Sequence, residues 1–446
     1  MIKIHPEIEF SAVCPKEGAT LHVKGLAVPG MYSLAEASCP VCRSEYYVDL
    51  PVGHAVRLQA VLDKDTGDIC NQPESVALWY SSILEDGYSN QSGLDVIPKV
   101  TRFFDAKSIV VVNCLDFIYG HSLLKLLNVQ RHLYRSPELG CCVLIQPNLA
   151  HLVPEGVAEI WEFPLSFKDG WKWHPTLQRW FGEYISGREE CFLSRAYSHP
   201  SPGLYDLRRF VRDLPDVSGR TEGQSPVVMF SYREDRLWGR TIADQEKNLQ
   251  RLYDRLAGVF PEMLFVLTGF GRQNVITGAD ERLVDLRAEG FDADTDRLWL
   301  SWMAASDCVV GVHGSNMLLP SGLARAVVEL VPRSRFGNSV QDFLFQAGMD
   351  DLRDPLLNYR MLYGNDPLTD VRPSAVVDMV ANVLSYSRTN ATWFKADKDP
   401  GMVEKMDRVI GSDVFLRGGK HLGFTLPTFI KRVVRRAAHL ALDIVD

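Results

Sequence analysis

A chain of 446 residues is too long for one ordinary hydrophobic core and predicts two or three domains. Its 46% hydrophobic and 23% charged content is that of a folded globular protein and excludes wholesale disorder. The formal net charge of -8 excludes nucleic acid as the main partner, because a surface that follows phosphates needs a basic excess.

The opening MIKIHPEIEF has neither a long apolar run nor a small-residue cleavage site and reads as no secretory leader. Residues 1–75 predict a β-rich, zinc-ribbon-like module, with short runs such as TLHVKGLAV and EYYVDLPV set between Gly and Pro. Inside it Cys39-Pro-Val-Cys42 forms a knuckle of the metal-holding kind, and Cys14 supplies a third thiol. Glu17, His22 or His54 would complete a tetrahedral zinc site; the alternative is a ribbon that holds no metal. In both cases the module is structural. The nine cysteines are an odd, scattered set, several of them inside predicted strands, which predicts reduced thiols and a cytoplasmic setting.

Residues 76–215 change grammar. KSIVVVNCLDF is a continuous apolar strand of the parallel-sheet kind; it breaks at Tyr119-Gly120-His121, and SLLKLLNVQRHLY follows with helical spacing. GCCVLIQP and AEIWEFPLSF predict two more strands and HPTLQRWFGEYI a helix, the succession of a Rossmann-like domain. The polar stretch DLPDVSGRTEGQS, 213–225, predicts a linker. Over 216–388 the grammar repeats: PVVMFSYRED, MLFVLTGFG, DCVVGVH and AVVELVP are strands, and TIADQEKNLQRLYDRLAGVF is a long helix. The expected fold is α/β, two tandem Rossmann-like domains facing a cleft.

The extension 389–446 ends in LPTFIKRVVRRAAHLALDIVD, with Leu426, Ile430, Val433, Ala437, Leu440 and Ile444 on one helical face. Lys431, Arg432, Arg435 and Arg436 crowd the other face. Such a helix either packs back on the domains or lies on an anionic membrane surface. The longest apolar runs are too short to span a bilayer.

In open α/β sheets ligands gather beyond the carboxyl ends of the strands. The exit FSYREDRLWGR carries Arg233, Arg236 and Arg240, whose guanidinium groups suit phosphate, with Arg236 the preferred ligand and Arg233 second. The same arginines also suit pairing with Glu234 and Asp235 on a solvated loop. At LTGFGRQ, Gly269 and Gly271 would let a base edge approach the backbone. At VHGSNM, His313, Gly314, Ser315 and Asn316 offer hydrogen bonds and helix-start N–H groups, although a capped turn has the same composition. GxxxxGK[ST] is absent, which argues against an ATP-driven motor.

Taken in order, the arginine-bearing loop, the long helix, the strand ending GVHGSNM and the Pro-Ser-Gly break before VVEL resemble the nucleotide-sugar half of GT-B glycosyltransferases, the family 61 type above all. The likeness covers about 226–350 closely and 105–180 only in general grammar. Asn316-Met317-Leu318 departs from the glycine-richer stretch expected after His-Gly. The resemblance implies an inverting, metal-independent glycosyltransferase, its nucleotide sugar held at Arg233, Arg236, Gly269, Gly271, His313, Gly314, Ser315 and Asn316, with Glu329 near the ribose or supporting the loop. The catalytic base would come from across the cleft, where NCLDFIYGHS offers His121 and Asp116; imidazole titrates near neutrality, but both residues also suit simple capping. No DxD stands at a strand end, and DADTD at 292–296 reads as a solvated loop. The acceptor would be a glycan or a lipid-linked glycan, the latter in keeping with peripheral membrane contact through the tail. A nucleotide-sugar 2-epimerase and a non-catalytic nucleotide- or glycan-binding scaffold share this grammar, though no convincing set of epimerase carboxylates is visible.

Overall fold

The uninterrupted apolar runs SIVVVN, GCCVLI and VVMFSY each become a central strand buried along nearly its whole length, as a parallel sheet covered by helices requires. These elements come from a computed structural model that describes residues 1–71, 78–201, 204–271, 275–278, 280–339, 341, 343–344 and 358–393. The chain divides into two compact units, Met1–Leu384 and Ser385–Asp446, and the three sheets formed by the described residues lie in the first. The basic amphipathic helix expected near the end falls outside the described residues.

The strands are β1 (Ile2–His5), β2 (His22–Ala27), β3 (Leu34–Ser38), β4 (Glu45–Asp49), β5 (Val61–Asp63), β6 (Lys99–Arg102), β7 (Ser108–Asn113) and β8 (Gly140–Ile145). They continue with β9 (Glu159–Glu162), β10 (Glu190–Leu193), β11 (Val227–Tyr232), β12 (Leu264–Gly269), β13 (Leu283–Asp285), β14 (Cys308–Val312), β15 (Val327–Pro332) and β16 (Tyr359–Gly364). The first Rossmann-like sheet runs β1-β10-β7-β8-β9-β6, parallel in its middle and antiparallel at both edges. The second runs β13-β12-β11-β14-β15-β16 and is parallel throughout. Strands β2 to β5 form a separate antiparallel sheet. Although β1 lies in residues 1–75, it closes the edge of the first Rossmann-like sheet by pairing with β10.

In the second sheet β11 has β12 on one side and β14 on the other, so the exits after Tyr232, Gly269 and Val312 reach one edge together. The long helix Ile242–Val259 begins in a capping box between Thr241 and Asp244 and buries Leu249, Leu252 and Leu256 against the sheet. DADTD is not a solvated loop. Asp292 caps the helix Ala293–Ala305 by accepting from Thr295 N at 2.8 Å, and Asp296, one turn on, faces inward. There it meets His151 Nε2 at 2.8 Å, tying the helix to the segment behind β8. Asn148 Nδ2 donates to the Phe291 carbonyl at 2.8 Å beside it.

None of the nine cysteines is in a disulfide, and Cys114, Cys141, Cys142, Cys191 and Cys308 are buried at the strands. Among the described residues no helix is long and apolar enough to cross a membrane.

Candidate functional site

At the carboxyl edge of the second sheet, Gly314 follows β14 with φ 149° and ψ −179°, a backbone conformation essentially confined to glycine. A Cβ there would fall 2.1 Å from Arg233 Nη1 and 2.8 Å from Arg236 Nη1, so both guanidinium groups lie directly over this backbone. Arg236 Nη1 donates to the His313 carbonyl at 2.9 Å. Arg233 donates to Asn316 Oδ1 at 2.6 Å and makes a two-pronged pair with Asp235, so the pairing alternative read from the sequence is realised at Arg233. Asn316 Nδ2 in turn donates to Ser231 Oγ at 3.0 Å, linking the β14 exit to β11.

His313 is buried and its Nδ1 lies 2.8 Å from Glu329 Oε1 on the neighbouring strand. The other Glu329 oxygen accepts from the Tyr359 hydroxyl at 2.6 Å. Glu329 therefore props the His313 loop from beneath. In Glu329→Gln a neutral amide replaces the carboxylate that meets both His313 and the Tyr359 hydroxyl. We expect a loss of about 1–3 kcal/mol in a urea melt, the usual cost of an orphaned buried polar group.

At Gly269 and Gly271 the backbone passes close to Tyr232: Cβ atoms there would fall 1.9 Å from the Tyr232 carbonyl oxygen and 2.6 Å from the Tyr232 ring. Arg287, just beyond β13, is buried, holds Asp285 through Nε at 2.9 Å and Nη2 at 2.6 Å, and lies 4.8 Å over the Tyr232 ring. Sequence reasoning passed over this pair. The signal was there, since Asp285 and Arg287 stand at i and i+2 of an extended segment and so share a face.

Across the seam, the helix Tyr119–Leu126 starts against the β14 loop, and a Cβ on Gly120 would lie 2.6 Å from Ser315 Cβ and 2.8 Å from Leu318 Cδ1. His121 follows, 21% exposed, with Nδ1 at 3.3 Å from Asp116 Oδ1: ion-pair reach without the alignment of a hydrogen bond. Asp116 itself is buried, accepts from the Phe117 and Ile118 amides at 2.9 and 3.2 Å, and has Lys125 Nζ 3.0 Å from its other oxygen. Burial pushes its carboxyl up, but Lys125 and then His121 outweigh that and hold it well below the usual carboxylate range. A buried carboxylate so firmly ionised is suited to orienting His121, not to taking a proton. His121 and Lys125 are four residues apart on one helix, so a single helix turn brings both to Asp116.

His54, one candidate zinc ligand, stands instead edge-on to His121 at 4.4 Å, with Trp79 5.8 Å from the same ring. Burial, and then the neighbouring His121, push the His54 imidazole down to about 3, and burial with Arg131 does the same to His132. Both rings are neutral in the folded chain, while in the unfolded chain they titrate near 6.5. Their contribution is therefore complete above about pH 6.5 and drains away as the pH falls from there toward 3. The melting temperature is expected to fall from pH 7 to pH 5, and less steeply in His54→Gln.

No protein-family model matches the chain, and no curated protein matches it. Among solved structures it is similar to the ADP-heptose LPS heptosyltransferase II of E. coli, at 14% identity and a TM-score of 0.39, over 63% of this chain and 99% of that one. It is similar also to a family 9 glycosyl transferase from Veillonella parvula, at 11% identity and a TM-score of 0.41, over 64% of this chain and 99% of the other. A third similar structure is E. coli heptosyltransferase WaaC with ADP, at 12% identity and a TM-score of 0.40, covering 61% and 99%.

Proposed function

We propose that the chain is a glycosyltransferase of the GT-B kind that moves a sugar from a nucleotide-activated donor to a glycan or lipid-linked acceptor. What supports the reading is one juxtaposition: the helix bearing His121 packs through Gly120 onto Ser315, one residue beyond the Gly314 backbone over which Arg233 and Arg236 lie. An imidazole-bearing helix and an arginine-lined strand exit thus border one seam, the arrangement that transfer from a phosphate leaving group needs.

In this mechanism the donor diphosphate takes the place of the His313 carbonyl on Arg236, and secondarily engages Arg233. With Nδ1 turned to Asp116, His121 Nε2 accepts the acceptor hydroxyl proton. The acceptor oxygen bonds to the sugar C1 from the face opposite the phosphate, the C1–O(phosphate) bond breaks, and the nucleoside diphosphate leaves with the electron pair. Charge growing on that phosphate falls to the guanidinium groups in place of a divalent cation, and the attack from the opposite face inverts the anomeric configuration. Asp116 orients His121, and Glu329 with Tyr359 holds His313 in place beside the phosphate. A family 61 relationship is the finer form of this proposal.

The test is a thermal-shift panel of UDP, GDP, CMP, dTDP and ADP, followed by incubation of the full chain with the labelled sugar of whichever nucleotide stabilises it. Slow release of free sugar of inverted configuration, without added divalent cation, is the expected result. Exchange at C2 would make the chain an epimerase, and tight binding without any turnover would make it a scaffold.

A further inference from the structure

Two turns of the N-terminal region are built to one plan, CPKEGA at 14–19 and CPVCRS at 39–44. In the second, Cys39 N donates to the Ser44 carbonyl and Arg43 N to the Cys39 carbonyl, each at 3.0 Å, with Arg43 left-handed at φ 63°. In the first, Cys14 N donates to Ala19 O at 2.7 Å and Gly18 N to Cys14 O at 2.8 Å, with Gly18 at φ 66°. Position for position, Cys14 answers to Cys39 and Gly18 to Arg43, and Glu17 falls where Cys42 stands. An arginine takes the left-handed conformation only where its surroundings impose it. Here the same turn brings Cys42 N to 3.4 Å from Cys39 Sγ, an amide directed at a sulfur.

The two turns face each other. The sulfurs of Cys14, Cys39 and Cys42 all lie within 4.8 Å of one another, and Cys14 Sγ is 3.7 Å from Cys42 Sγ. Thiolates bound at about 2.3 Å to one tetrahedral zinc stand about 3.8 Å apart, whereas a disulfide needs about 2.05 Å. The observed separation is that of two ligands sharing an ion. The Tyr46 hydroxyl lies 3.5 Å from Cys14 Sγ, and Lys16, tied to Asp63 at 2.8 Å, lies 5.8 Å from the Tyr46 ring centre. His22 and His54 do not belong to the cluster; His22 is exposed on β2 and His54 stands against His121.

We propose that Cys14, Cys39 and Cys42 bind one zinc-class divalent ion as thiolates, and that the Glu17 carboxylate, exposed on the matching turn, swings in as the fourth ligand. The ion ties the turn before β2 to the hairpin between β3 and β4, and the site stands apart from the glycosyl-transfer reading, neither depending on the other.

Metal content of the full chain, purified in reducing buffer, is the first measurement, with about one zinc per chain expected and Cys39→Ser and Cys42→Ser expected to lose it. Cobalt in place of zinc should give thiolate charge-transfer bands and the strong visible bands of a tetrahedral ion. Glu17→Gln should weaken binding roughly 10–100-fold, and Glu17→Cys should strengthen it and move the cobalt spectrum to that of four thiolates. A folded wild-type chain that takes up neither zinc nor cobalt would overturn the proposal, as would a Cys14–Cys42 disulfide persisting in reducing buffer. An unchanged affinity and spectrum in Glu17→Gln would remove Glu17 from the site.

Discussion

Replacing His121 by alanine is expected to lower glycosyl-transfer turnover by about 100- to 10,000-fold while leaving nucleotide binding close to that of the wild type. The ring is the partly exposed member of a buried charge group in which Asp116 and Lys125 satisfy each other, so its loss uncovers no unpaired charge. The readout that separates a proton acceptor from a structural ring is rescue: added imidazole should restore part of the turnover in His121→Ala. Asp116→Asn should behave differently. It removes the carboxylate from a buried pair and strands Lys125, at a cost of about 3–5 kcal/mol in stability, alongside a loss of turnover that imidazole does not repair. Full turnover in His121→Ala would remove the assigned base.

The second large effect is expected at Gly314. Alanine would have to hold φ near 149°, and its Cβ would occupy the space of the Arg233 and Arg236 guanidinium groups. The backbone strain alone is about 1–3 kcal/mol, and the displaced arginines lose their bonds to His313 O and Asn316. Since 1.4 kcal/mol is a factor of ten in affinity, donor nucleotide binding should weaken about 10–100-fold in calorimetry or thermal shift. Because the loop lies at the carboxyl edge of the sheet, circular dichroism should stay native. Wild-type nucleotide affinity in Gly314→Ala would place the donor elsewhere.

Several features of this site were written in local sequence. The apolar runs of β7, β8, β11 and β14 predicted parallel strands because a strand covered on both faces needs no polar alternation. The exits holding Arg233, Arg236 and His313 followed from those strands and from the rule that ligands gather at their carboxyl ends. The four-residue spacing of His121 and Lys125 was legible too, though nothing local marks the lysine as the counter-ion of Asp116. Helical and strand periods record which face of an element is buried, and a strand exit is a local event.

What faces the buried side is a different matter. That β1 closes the first sheet against β10, that Asp296 leaves an apparently polar loop to meet His151, and that His54 stands against His121 rather than against three thiols all join residues far apart in the chain. Strand order and the docking of one sheet's helices on the other's loops decide such partners, and a one-dimensional pattern carries no term for either. The sequence by itself determined the strands, their carboxyl exits and the thiol knuckle, because backbone sterics and hydrophobic burial act over a few residues. Only the tertiary structure decided that Gly120, next to His121 in the chain, packs onto Ser315 and that Glu329 holds His313, because close packing across a seam is settled when distant surfaces meet.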